Sequence, residues 1–262
     1  MKFNFIKQTG PFIASFLFLY LSFVTWEILI QYSAIALLVL IPLASILYVA
    51  TFRLNQNIIK AQYGMILKPD THVSRLFTGA ISSHFRALIF TTCSLPVLTW
   101  YYVTASIEQF GLFSGTICVA LFSYNWLRKS AEDIFKKPFS EQYLVNYASI
   151  AASVICFFPL WYFSWAVDLN SGDLLGEGLK QVVTQSLEEA PDNLGPLNIL
   201  FSFPYLIDSF KIWTVVQLRD FANLSLIASI ESALVGFVIS RTAILVLYFT
   251  TKEIFKIEVV DK

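Results

Sequence analysis

Charged side chains are scarce in this sequence. They make up 14% of its 262 residues, against roughly 25% in ordinary soluble domains, while 56% of the chain is hydrophobic and the mean hydropathy is +0.66. A water-soluble fold of this length has no interior large enough to hide that much apolar surface, which excludes a soluble enzyme or binding domain. Lys and Arg (18) balance Asp and Glu (18), so the basic excess that nucleic-acid binding requires is missing, and no nucleic-acid partner is expected. Cysteine is limited to Cys93, Cys118 and Cys156, each inside an apolar run and without CxxC spacing. That excludes a disulfide framework or a zinc site and leaves buried thiols that behave as small hydrophobes. Glycine is also sparse at 10, with no repeat of fixed period and no pair of glycine-broken helices of the kind many transporters use.

The residues that catalysis needs are equally thin. The chain has two histidines, His72 and His84, both in one polar segment, and no Asp inside any long apolar run. There is no HExxH, no P-loop and no carboxylate cluster of metal-ligand type. Neither a cofactor nor a metal is expected, and nothing recommends an enzyme. A lipid-acting one, using His72, His84, Arg75 and Arg86, ranks last among the functional expectations.

Long apolar runs are what the sequence does have. A helix crosses the hydrocarbon core in about 20 residues. Residues 11–52 form one tract of 42, interrupted by Glu27 and the polar step Gln31-Tyr32-Ser33, which predicts a tight helical hairpin. With further runs at 87–106, 109–127, 143–167 and 223–250, the expectation is an all-α, polytopic transmembrane bundle of about six spans, near 11–30, 33–52 and those four, forming a single domain over 1–262. The first run is too long and too rich in bulky aromatics for a cleaved signal, so it reads as a retained span.

Charge bias sets the direction. Residues 1–10, 53–86, 128–142 and 251–262 carry fourteen Lys/Arg and seven Asp/Glu, whereas 167–222 carry three and eight. Basic segments stay cytoplasmic, which places both termini inside and the acidic segment 168–222 outside, in a bacterial inner membrane. Within that segment, 196–218 is long enough to cross but contains Pro204, Asp208 and Lys211, and charges at the bilayer centre are costly. It reads as an interfacial or re-entrant helix. Amphipathic helices are expected on both faces: one from Val73 to Leu88, with Arg75 and Arg86 near lipid phosphates, and one over Leu174 to Leu187, closed by Glu188 and Glu189.

Ionisable residues inside spans are the default functional candidates. They are Glu231 and Arg241 in the last run, and Glu27 near the outer end of the first. Helical geometry separates Glu231 from Arg241 by about 15 Å along the axis, too far to pair directly, so Arg241 is expected to snorkel toward the headgroups. Ser225, Ser229, Ser232, Gly236 and Ser240 make a small-residue stripe on the same helix, suited to close helix packing or self-association. The leading functional expectation is a non-enzymatic membrane subunit (scaffold, sensor or adaptor) that associates with itself or with a partner membrane protein. Second is a channel or transporter with Glu231 and Arg241 lining a path.

Overall fold

The computed structural model describes residues 2–30, 37–66, 80–104, 107–170, 178–188 and 221–256, with short helical pieces between 202 and 214. All regular structure among them is helical. The order is α1 (Lys2–Ile30), α2 (Leu37–Ile66), α3 (Ala80–Thr104), α4 (Ile107–Ile134), α5 (Phe139–Asn170), the short α6 (Leu179–Glu188) and α7 (Phe221–Phe249), which ends in a π turn, Thr250–Ile254. Five helices are long and apolar enough to cross a membrane: α1, α2, α4, α5 and α7. Helix α3 matches them with 25 residues, but its hydroxyls at Ser82, Ser83, Thr91, Thr92, Ser94 and Thr99 dilute its hydropathy. Interior prolines at Pro11, Pro42, Pro96 and Pro159 sit in α1, α2, α3 and α5. Such prolines are tolerated where neighbouring helices and hydroxyls satisfy the freed backbone groups. Beside Pro96, Thr99 Oγ1 folds back onto its own helix and donates to the carbonyls of Leu95 (2.9 Å) and Pro96 (3.1 Å).

Contacts fix how the helices run. At one end, Gly10 of α1 lies against the Phe255 ring, Arg53 of α2 pairs with Glu253, and Glu141 of α5 pairs with Lys252. At the other, α1 meets the start of α4 through Tyr20–Phe110 (5.4 Å) and Phe23–Phe113 (4.8 Å), while Trp161 of α5 reaches Ser225 at the start of α7. The six long helices therefore alternate in direction, and the start of the first lies beside the end of the last.

Helix α7 is the hub. It touches each of the other five long helices, and 72% of its most apolar stretch is buried, against 22% for α1 and 39% for α4 and α5. Its small residues also let neighbours come close: a Cβ on Gly236 would stand 3.1 Å from Leu160 Cδ1 and 3.5 Å from Ser153 Oγ, both on α5. Around it, Phe23 and Trp26, Leu43 and Leu47, Phe113 and Ile117, and Ala148 and Ala152 close one continuous core at helical spacing. The outside of the bundle is apolar too, with Ile13, Leu17 and Leu21 exposed on α1 and Ile150, Val154 and Phe158 on α5. An apolar exterior of this extent suits lipid as solvent. Cys93 and Cys118 belong to that exterior and only Cys156 is buried, which corrects the expectation of three buried thiols.

Of the amphipathic elements, α6 is stitched at its start by Gly178 N donating to Gln181 Oε1 (3.0 Å) and buries Val182. On α3 the apolar residues Ile81, Phe85 and Leu88 face outward while Ser83 and Ala87 face the bundle. Residues 73–79, 174–175 and nearly all of 196–218 lie outside the described residues.

Candidate functional site

Polar side chains inside the bundle gather at two levels. The larger group surrounds the C-terminal end of α7. Arg241 Nη1 donates to Asn146 Oδ1 of α5 at 2.5 Å. Two turns further on, Glu141 accepts from the Tyr248 hydroxyl (3.1 Å) and from Lys252 Nζ (2.5 Å). The next residue after Lys252, Glu253, takes Arg53 of α2. Local structure makes this arrangement accessible. The π turn at 250–254 widens the last coil of the helix, and Lys252 and Glu253 go to α5 and α2 respectively. Glu141 lies in the first turn of α5, where the helix dipole favours a carboxylate. Arg241, expected to reach for the headgroups, is instead half-buried and engaged across a helix interface. A guanidinium removed from water needs an acceptor nearby, and the amide oxygen of Asn146 is the one provided.

The second level surrounds Glu231. A small cavity of about 20 Å³ lies beside it, bounded by Tyr101, Gln109, Leu160, Ser232 and Val235, a volume that admits about one water. The Ser232 hydroxyl is buried with no hydrogen-bond partner among the described residues, and the same is true of Thr51, Ser83, Thr91, Ser240 and Thr242. Tyr101 donates to the Gln109 carbonyl (3.4 Å) beside the same cavity. Glu231 and Arg241 are not brought together, since the helix that carries both holds them about 15 Å apart.

The remaining candidates are distributed. Glu27 is exposed on α1 next to the fully buried Trp26. In the small-residue stripe, Ser229 donates to the Ser225 carbonyl (2.6 Å), Ser225 also accepts from Trp161 Nε1 (3.4 Å), and Ser232, Gly236 and Ser240 are buried. Gly236 packs on α5 of the same chain. Arg75 and His72 lie outside the described residues; Arg86 is exposed on α3 at the edge of a groove. His84 stacks on Phe52 of α2 (centroids 4.2 Å) and hydrogen-bonds the Tyr48 hydroxyl, so it clasps α2 to α3. No group of three or more His, Cys, Asp or Glu suited to a metal occurs among the described residues.

Sequence reading did not single out Asn146, Glu141, Tyr248, Lys252 or Glu253. One signal was present: Asn146 is the only carboxamide in the run 143–167. No protein-family model, curated protein or solved structure matches this chain.

Proposed function

We propose that this chain is a non-enzymatic subunit of a membrane assembly, a scaffold, sensor or adaptor. In this reading it crosses a bacterial inner membrane six times, α3 included, with both termini in the cytoplasm. The observation that carries it is the use of the charges on the central helix. Arg241, Lys252 and Glu253 each engage a neighbouring helix, an arrangement that fixes the bundle's shape rather than leaving charge along a route. The charged end of the bundle coincides with the basic segments, as the retention of Lys and Arg on the cytoplasmic side requires. The apolar exterior leaves the flanks of α1, α4 and α5 for lipid, for a second copy or for a partner membrane protein. The test is the mass of the gently solubilised protein, purified from its native membrane. A stable homo-oligomer or a retained partner is the expected result, and a lone monomer at every protein concentration contradicts it.

The Glu231 cavity favours a second reading, a channel or transporter in which Glu231 and Arg241 line a path. There, Glu231→Gln abolishes flux in proteoliposomes while the fold is retained.

A further inference from the structure

A groove of about 760 Å³ opens between the C-terminal half of α2, the start of α3 and the first turn of α5. Its polar lining includes Arg86, Asn55, Gln62 and Gln142, and its apolar wall includes Ile81 and Phe85. No carboxylate is among its lining residues, so the groove carries one positive charge with neutral donors around it. Arg86 has no hydrogen-bond or ion-pair partner among the described residues, in contrast to Arg53, Arg128 and Arg241. Asn55 commits one of its two amide N–H groups to the Thr51 carbonyl (2.9 Å), whereas Gln62 and Gln142 keep both to complement the guanidinium. Such a set recognises an anion with several acceptor oxygens, and the guanidinium fork suits phosphate.

Position and shape narrow the ligand further. Gln142 adjoins Glu141, and Asn55 lies two residues beyond Arg53, so the groove sits at the level of the ion pairs that close the charged end of the bundle. That is where phosphate headgroups lie in a bilayer. The apolar wall does not stop at the groove: Ile81 (70% exposed), Phe85 (64%) and Leu88 (57%) continue as one outward stripe along α3 toward the middle of the span. A volume of this size accepts a headgroup and glycerol, while an acyl chain leaves along the stripe.

We propose that this groove binds a phospholipid with a net anionic phosphate headgroup, held by Arg86, Gln62 and Gln142, with one acyl chain along Ile81, Phe85 and Leu88. The proposal goes beyond the subunit role: it rests on that reading's placing of α3 across the bilayer, and stands whether or not the chain assembles with partners. It is tested by native mass spectrometry of the full chain in detergent, titrated with phosphatidylglycerol and, separately, phosphatidylcholine. The expected result is a first phosphatidylglycerol bound about tenfold more tightly than phosphatidylcholine, with Arg86→Gln erasing the preference. Lys60→Gln, which removes an exposed cation of α2 outside the groove lining, leaves it intact. Phe85→Ser weakens both lipids by about threefold and keeps the preference, because it trims the tail contact alone. Equal affinity for the two lipids, or an equal loss from Lys60→Gln, overturns the proposal. So does complete displacement of the lipid by millimolar inorganic phosphate, which makes the groove a site for a soluble anion.

Discussion

The two halves of α7 are built differently. From Thr242 to Tyr248 every residue is buried, and the turn that follows is tied to α5 and α2 by ion pairs. Between Leu226 and Phe237, by contrast, Leu226, Ile230, Leu234 and Phe237 are exposed as one stripe, and the charge in that half, Glu231, borders a small cavity between α7 and residues of α3, α4 and α5. One helix of nearly uniform hydropathy is thus a clamped core element at one end and a partly outward-facing element at the other. The difference comes from its neighbours: α5 follows it throughout, whereas α2 joins it through Arg53–Glu253 near the charged end. Polar substitutions in the clamped half should destabilise the fold, and those at the exposed stripe Leu226, Ile230, Leu234 and Phe237 of the other half should do so far less.

The largest expected effect lies where the halves meet. Gly236→Leu drives a branched side chain into Leu160 and Ser153 and should destabilise the bundle by about 3 kcal/mol, the upper part of the overpacking range, read by denaturant titration in detergent. Next is Asn146→Leu, which leaves the Arg241 guanidinium without its acceptor. A loss of about 2 kcal/mol is expected, and Arg241→Met on top of it should recover part of that loss, because the stranded charge is then gone. Glu141→Gln should cost about 1 kcal/mol and show coupling to Lys252→Met in a double-mutant cycle. Coupling near zero there would break the contrast between the two halves. The smallest effect is expected at Glu231→Gln, within about 0.5 kcal/mol of the parent, because the amide keeps the carboxylate's shape and the cavity beside it has room for a water to adjust to the new donor.

Much of the architecture was legible because length and hydropathy report directly on membrane crossing. The run at 223–250 became α7 with boundaries moved by one or two residues, and the run at 109–127 became α4 with its end extended by about two turns to Ile134. Helix α2 ran well past its apolar tract, to Ile66, since Leu54, Ile58 and Ile59 keep a buried face going among polar residues. What hydropathy does not encode is which helix is central. Lipid and protein interior are equally apolar, so a residue's hydrophobicity does not distinguish them. The partner of Arg241 was hidden for the same reason: Asn146 is 95 positions away in sequence, and the pairing exists only once α5 is known to lie against α7. The π turn that aims Lys252 and Glu253 leaves no mark in composition either.

The central claim is that the polar groups of α7 at its charged end hold helices together and do not conduct. Its most direct test is to measure, on the same preparations of Arg241→Gln and the parent protein, resistance to denaturant in detergent and ion and proton flux in proteoliposomes. The account predicts a clear loss of stability, with flux in both preparations at the level of empty vesicles. Flux in the parent that Arg241→Gln removes, with stability unchanged, would contradict it.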